Sequence, residues 1–293
     1  MLLKGKNIVI TGSGRGIGKA IAIACSKEGA NIGLMSRTLE ELTQTKEEII
    51  SLGIDTNVVV KKVDITKYDD VVDAFKIYYN EFGLLNGVIA NAGYSRMWAT
   101  HEFKNEIFSQ ILNVNVLGVF FTFKAAFPYM KKDDKENKAR FIITGSEAYP
   151  IAPIRLTAYV ASKFAVVGMQ KSMVAEYKRE NITFNMVLPT QVDTRLLRGK
   201  NAGDGNKPDY VLNPWDLNDY YIFLLSNDAN RVNNALIFTN DINEVKKLLV
   251  GAPSEKKENW ETFKDYLEEK APKVYENVKN LGKLVDFIIS RQV

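Results

Sequence analysis

The sequence predicts an α/β fold, a doubly wound parallel sheet, followed by a helical carboxyl-terminal extension. Short apolar runs alternate with longer segments of helical periodicity for most of the chain. The first run leads directly into a glycine-rich turn that opens a helix. Beyond the last strand, about fifty residues carry helical spacing and no further strand signal. Alternation of this kind predicts a parallel sheet covered on both faces, with ligands at the carboxyl ends of the strands.

The run NIVIT at 7–11 reads as the first strand, and GSGRGIG at 12–18 as a phosphate-binding turn into a helix over 20–28. Glycines let backbone N–H groups approach a pyrophosphate, and the helix amino terminus favours negative charge. Gly12, Ser13, Arg15, Gly16, Ile17 and Gly18 are therefore candidate cofactor contacts. NIGLM at 31–35 is the second strand, followed by Ser36, Arg37 and a helix over 39–52. An acid at this strand end would bind the ribose 2′-hydroxyl of NAD, whereas an arginine accommodates a 2′-phosphate. Arg37, together with Arg15, argues for NADP(H), with Ser36 beside it.

A third strand over 56–63 ends at Asp64, a helix spans 68–82, and GVIA at 87–90 is a short buried strand ending in Asn91, Ala92 and Gly93. Residues 102–130 read as largely helical, with Asn113 and Asn115 in the apolar stretch LNVNVLGVFF. A buried asparagine needs partners; capping or core bonding suits Asn113, and a functional role is preferred for Asn115. KKDDKENK at 131–138 is a charged, solvated loop. A central strand over 141–146 and a helix over 158–178 follow, then a strand over 182–188 ending at Pro189. The long segment 190–213 suggests a mobile substrate lid. A helix over 214–225 and a last strand over 235–239 complete the alternating region, giving a dinucleotide-binding catalytic domain over 1–240 and an extension over 241–293.

The net charge of +4 comes from 39 basic and 35 acidic residues without a basic cluster, which is no nucleic-acid footprint. One cysteine and one histidine leave no intrachain disulfide, make a thiolate metal site implausible and disfavour a Ser-His-Asp triad; no metal site is expected. The amino terminus shows no long apolar stretch or cleavage site, and no segment reads as the ~20 apolar residues that a bilayer span needs. A cytoplasmic protein without a membrane span is the expectation.

Residues 144–163, TGSEAYPIAPIRLTAYVASK, bring together three side chains of complementary proton chemistry. Ser146 ends the central strand, and Tyr159 and Lys163 lie four apart on one helix face. A neighbouring ammonium should lower a phenol pKa that starts near ~10, making a usable general acid and base. Tyr-x-x-x-Lys on a helix is usually structural when it stands alone, and the upstream serine is what lifts it.

These motifs together resemble the short-chain dehydrogenase/reductase family, in its single-domain Rossmann-like branch, over roughly 6–239. Residues 11–18 resemble its TGxxxGxG motif and 91–93 its NAG motif. Asn115, Ser146, Tyr159 and Lys163 fall where its catalytic tetrad would, and Pro189, Val192 and Thr194 match the segment that meets the nicotinamide. The resemblance implies reduction of a carbonyl by NADPH, reversibly, with Tyr159 as proton donor and Ser146 polarising the oxygen. It implies that Lys163 depresses the Tyr159 pKa and holds the ribose, and that Asn115 supports a connecting water. It further places Asp64 and Ile65 at the adenine and 91–93 along the cofactor's ribose side.

Two departures stand out: Thr190 replaces the family's usual glycine, and Thr239, Asn240 and Asp241 replace the Asp-Gly-Gly turn near a region that often serves tetramer contacts. A homo-oligomer, dimer or tetramer, remains the expectation. In the extension, Val274, Val278, Leu281, Val285 and Ile288 form an apolar stripe along a helix read over 260–289. Tyr94, Ser95, Ala148, Tyr149, Ile154 and Leu196 are candidate substrate contacts by proximity to the motifs, and their character suits a hydrophobic or aromatic carbonyl compound. The alternative from another class is a nucleotide-sensing or partner-binding module without turnover, which would not need the serine, tyrosine and lysine together. An epimerase or dehydratase is disfavoured by the glycine spacing.

Overall fold

The computed structural model describes residues 1–291, and clustering of backbone contacts divides the chain into compact units of 1–236 and 237–293. The first unit is built on the strands β1 (Asn7–Thr11), β2 (Asn31–Ser36), β3 (Val58–Lys62), β4 (Gly87–Ala90), β5 (Ala139–Thr144) and β6 (Ile182–Leu188), and the sheet closes with β7 (Leu236–Phe238). The order is β3-β2-β1-β4-β5-β6-β7, and β1 to β6 are parallel throughout. The chain leaves β1 toward one edge and returns at β4 toward the other, so β1 and β4 flank the topological switch point where such sheets bind ligands.

The strands are apolar because both faces are covered; β1, β4, β5 and β6 are buried along their whole length. The covering helices of this unit are α1 (Gly16–Lys27), α2 (Leu39–Ser51), α3 (Tyr68–Phe82), α4 (Asn105–Leu112), α5 (Gly118–Ala126), α6 (Ala148–Ile151), α7 (Thr157–Glu176), α8 (Arg195–Arg198) and α9 (Asn218–Leu225). Two charged side chains lie under the amino ends of the strands, away from the site. Lys6 Nζ donates to Leu225 O at 2.8 Å, Asn227 Oδ1 at 2.8 Å and Asn137 Oδ1 at 3.1 Å. Arg140 donates to Leu224 O, Ser226 O and Asn230 Oδ1. Each buried cation is surrounded by oxygen acceptors, which is what permits its burial.

Several expectations need correction. The central strand begins at Ala139 and ends at Thr144, so Ser146 lies two residues beyond it. Asn113 is exposed at the C-cap of α4, its backbone N–H donating to Gln110 O and Ser109 O, so of the two readings capping holds and core bonding does not. The stretch Asn105–Tyr129 does have the length and hydropathy (mean 1.4) of a membrane-crossing helix, contrary to the sequence reading. Half of its most apolar window is buried, a π-helical turn (Asn113–Leu117) interrupts it, and it packs on α3 and α7 as a core helix. The segment 190–213, read as a lid, carries short helical turns and internal ion pairs. Arg198 pairs with Asp193 at 3.1 Å and Asp204 at 2.9 Å, and Asp193 accepts from Gly203 N, so its charges bond to one another and fold it into α8 and a following 3₁₀ turn, Gly199–Asn201.

The second unit holds α10 (Thr239–Gly251), α11 (Trp260–Lys270), α12 (Pro272–Val278) and α13 (Gly282–Arg291). The single helix read over 260–289 is therefore three. Pro272 lacks an N–H and forces Ala271 to extended φ, ending α11. The expected stripe crosses these breaks: Val278, Val285 and Ile288 are buried, whereas Val274 and Leu281 are partly exposed.

Candidate active site

The carboxyl ends of β1, β2, β4, β5 and β6 open on a cleft of about 1340 Å³. Its first wall is the glycine turn. Gly12 has φ +68°, and a Cβ there would sit 2.9 Å from Ala92 Cα; at Gly18 a Cβ would meet Gly12 O at 2.3 Å. Glycine at both positions lets the turn fold against β4 and lets α1 begin directly beneath it. Thr11 Oγ1 accepts from Asn91 N and Ala92 N, both at 3.0 Å, which locks the β1 and β4 ends side by side. No side chain caps the amino end of α1, so its first N–H groups are left to face a ligand in the cleft.

Past this turn the wall passes Ser36 and Arg37 at the end of β2, then Asp64 and Ile65 after β3. Arg37 is exposed and makes no hydrogen bond or ion pair among the described residues. Arg15 is engaged: Glu41, in the first turn of α2, accepts from Arg15 Nη1 at 2.9 Å and from Arg195 Nη1 at 2.8 Å. One carboxylate thus ties the glycine turn to the segment after β6. Burial works to raise the Asp64 carboxyl, but hydrogen bonds from Thr66 N (3.0 Å) and Oγ1 (2.8 Å), with the charges of Arg37 and Lys67, bring it below its ordinary value. It is an occupied anion that shapes the wall. A glycine-rich turn whose backbone packs closely, an uncapped helix end and a guanidinium free of hydrogen bonds are what the phosphates of a dinucleotide require, so the residues fit such a cofactor.

The same cleft is lined by Ser146, Tyr159 and Lys163. Lys163 Nζ donates to Thr144 O at 3.0 Å and lies 5.3 Å from the Tyr159 ring centre. Burial drives its pKa down to about 8. Burial also holds the Tyr159 phenol above its ordinary value, partly offset by a hydrogen bond with Ser146. The expectation of a lowered phenol therefore fails for this state of the chain, because the withheld water outweighs a lysine that bonds a carbonyl instead of the phenol. Ser146 Oγ also accepts from Ala148 N at 3.1 Å, fixing its rotamer over the phenol.

Most of the expected residues meet here: Gly12, Arg15, Gly16, Ile17, Ser36, Arg37, the 91–95 stretch, Ala148, Ile154, Pro189, Val192, Thr194 and Leu196 all border the cleft. Four do not. Ser13 is buried, its N–H donating to Met35 O and its hydroxyl accepting from Met35 N, so it braces the turn against β2. Gly18 sits under the turn. Tyr149 turns its ring onto Phe164, 4.6 Å between centres, and does not face the cleft. Asn115 is buried behind the wall in the π turn; Oδ1 accepts from Tyr94 N at 2.8 Å, and Nδ2 donates to Tyr94 O at 3.0 Å and Ser162 Oγ at 2.9 Å. Its amide is engaged in holding the 93–95 loop, and it has no bond to Lys163. Sequence reasoning missed Glu41, whose only signal was an acid one turn into the helix after Arg37; Thr11 was read as the start of the glycine motif, without its bonds to the 91–92 backbone.

A cleft at the switch point of a parallel sheet, bordered by a glycine turn and by a serine, a tyrosine and a lysine, is where a doubly wound fold binds a dinucleotide. The family model for "short chain dehydrogenase" matches residues 6–205, and the chain belongs to that family. It is 30% identical over 204 residues to the 3-ketodihydrosphingosine reductase of Mus musculus, a match covering 69% of this chain and 60% of the mouse protein. It is 31% identical over 248 residues to 2-(S)-hydroxypropyl-CoM dehydrogenase 3 of Xanthobacter autotrophicus, covering 80% of this chain and 94% of that one. Among solved structures, a short-chain type dehydrogenase/reductase from Mycobacterium marinum superposes with a TM-score of 0.70 at 29% identity, over 80% of this chain and 94% of the other.

Proposed function

We propose that the chain is an NADPH-dependent reductase of a ketone or aldehyde, working reversibly. The observation that carries the reading is that Ser146, Tyr159 and Lys163 line the same cleft as the glycine turn. When bound, the nicotinamide supplies the hydride that reduces the carbonyl carbon. Tyr159 gives its phenolic proton to the carbonyl oxygen, and a phenol held above its ordinary value is fully protonated at neutral pH and ready to do so. Ser146, bonded to that phenol, donates to the same oxygen and aligns it. Lys163 would stabilise the phenolate left behind and would help hold the cofactor's ribose. Asn115 acts through the 93–95 loop as a positioning residue. Relatives named as a reductase of a keto compound and a dehydrogenase of a hydroxy compound support this class of reaction.

Preference for NADPH rests on Arg37. A 2′-phosphate would compete with Glu41 for Arg15, whereas Arg37 is unpaired and needs no exchange of partners. Arg37→Ala should weaken NADPH binding by roughly tenfold to a hundredfold, the worth of a charged hydrogen bond, and leave NADH nearly unchanged. Calorimetric titration with each nucleotide decides it; equal losses would remove the basis for the assignment.

The reading includes self-association. Leu117 and Phe120, on the π turn and α5, and Phe164 on α7 expose large apolar side chains on neighbouring elements, a face suited to a second copy of this chain.

A further inference from the structure

The mouth of the cleft is apolar and open. Ile154 is 83% exposed, Ile151 66% and Met97 62%, and all three line the cleft; Leu196 and Leu197, also exposed, face it from the segment after β6. Scattered exposed hydrophobic residues need no explanation, but five converging from three separate segments onto the entrance of one cleft form a surface that water meets at a cost.

Two of these segments are built to stay where they are. The backbone of Ala152 (φ 51°) and Arg155 (φ 62°) is left-handed at non-glycine residues, which costs on the order of 1–2 kcal/mol each. These two residues flank Pro153 and Ile154 and hold them outward. Trp98 N donates to Arg155 O at 3.0 Å, and the Thr100 and Thr157 hydroxyls meet at 2.7 Å, so the segment bearing Met97 is pinned to the one bearing Ile154. The exposure is therefore a property of a braced rim.

Charge at this end does not offer a carboxylate clamp. Arg195 is held by Glu41. The Arg96 guanidinium lies 4.7 Å over the Tyr94 ring and donates to Ser95 O. Lys200 alone among these wall cations has no partner among the described residues, and it is a single point charge. Along the exposed rim itself, recognition falls to apolar contact.

We propose that the substrate is an open-chain carbonyl compound with a long alkyl tail, the carbonyl seated at Ser146 and Tyr159 and the tail lying across the rim of Met97, Ile151, Ile154, Leu196 and Leu197. This rests on the reductase reading above. Each methylene that leaves water for such a surface adds binding, so the preference should grow with chain length.

The test compares butanone with dodecan-2-one as substrates for the full chain with NADPH, and measures dodecan-2-one binding by calorimetry in parallel. The kcat/KM for the long ketone should exceed that for the short one by roughly tenfold or more. The double substitution Ile154→Ser, Leu196→Ser should collapse that ratio toward one, and Ile154→Leu should keep it. A ratio near one in the unaltered protein, or a ratio unmoved by the double substitution, overturns the proposal. If neither ketone is reduced, the reductase reading fails by itself. Calorimetry then decides the tail assignment: dodecan-2-one binding lost in the double variant sustains it, and the same binding in both proteins, or none in either, overturns it.

Discussion

Tyr159 and Lys163 are both moved from their ordinary pKa values by burial, in opposite directions, and the pH dependence of the reaction follows from this pair. In the proposed mechanism, a phenol held above its ordinary value stays protonated across the physiological range and would serve as the acid for reduction. Lys163, brought down to about 8, loses its proton as pH rises through that value, and with it the charge that stabilises the phenolate. Reduction should therefore be level through neutrality and decline above about pH 8. A rate profile taken with saturating NADPH checks this, and a rate still level at about pH 10 would contradict it. Stability has the opposite slope. Because the folded pKa is depressed, an unfolded Lys163 binds a proton between about pH 8 and 10.5 where the folded one does not. The stability cost of burying this lysine is in full force below about pH 8 and is relieved as pH rises toward 10.5. Lys6, also lowered to about 8 by burial, adds to the same trend.

Elements bounded by turn residues were legible in the sequence. The apolar run of β4 starts at a glycine and gives way to Asn91, and β6 runs into Pro189; the structure places both at the limits read from the sequence. β5 was misplaced because Arg140 reads as a surface residue, yet it is buried and bonded to three carbonyl oxygens and an asparagine. The π turn at Asn113–Leu117 left no periodic signal, since one wide turn in an apolar helix does not shift the pattern enough to see. This π turn, with α5 and α7, carries the exposed apolar side chains proposed for self-association. Phe164 is 46% exposed there, and Phe164→Glu should shift the protein from dimer or tetramer toward monomer in sedimentation velocity. An unaltered protein that sediments as a monomer would contradict the assembly reading, as would a variant that keeps the same mass.

At the scale of the molecule, alternation of strands and helices was enough to read the fold class, because a parallel sheet with both faces covered leaves its strands almost wholly apolar. The candidate site was legible as a set of motifs and less so as geometry. Side-chain direction put Tyr149 onto Phe164 and Asn115 onto the Tyr94 backbone, and it made Glu41 the partner of two arginines 26 and 154 residues away. None of these follows from spacing along the chain. The central claim is that one cleft reduces a carbonyl with Tyr159 as its acid. Its most direct test is NADPH oxidation followed with a panel of ketones and aldehydes, in the unaltered protein and in Tyr159→Phe, with NADPH affinity measured for both. Expected are oxidation by the unaltered protein, a loss of about a hundredfold to ten-thousandfold in the variant, and similar NADPH binding in the two. Turnover within a few fold in both proteins, or NADPH binding without turnover of any carbonyl, would contradict it.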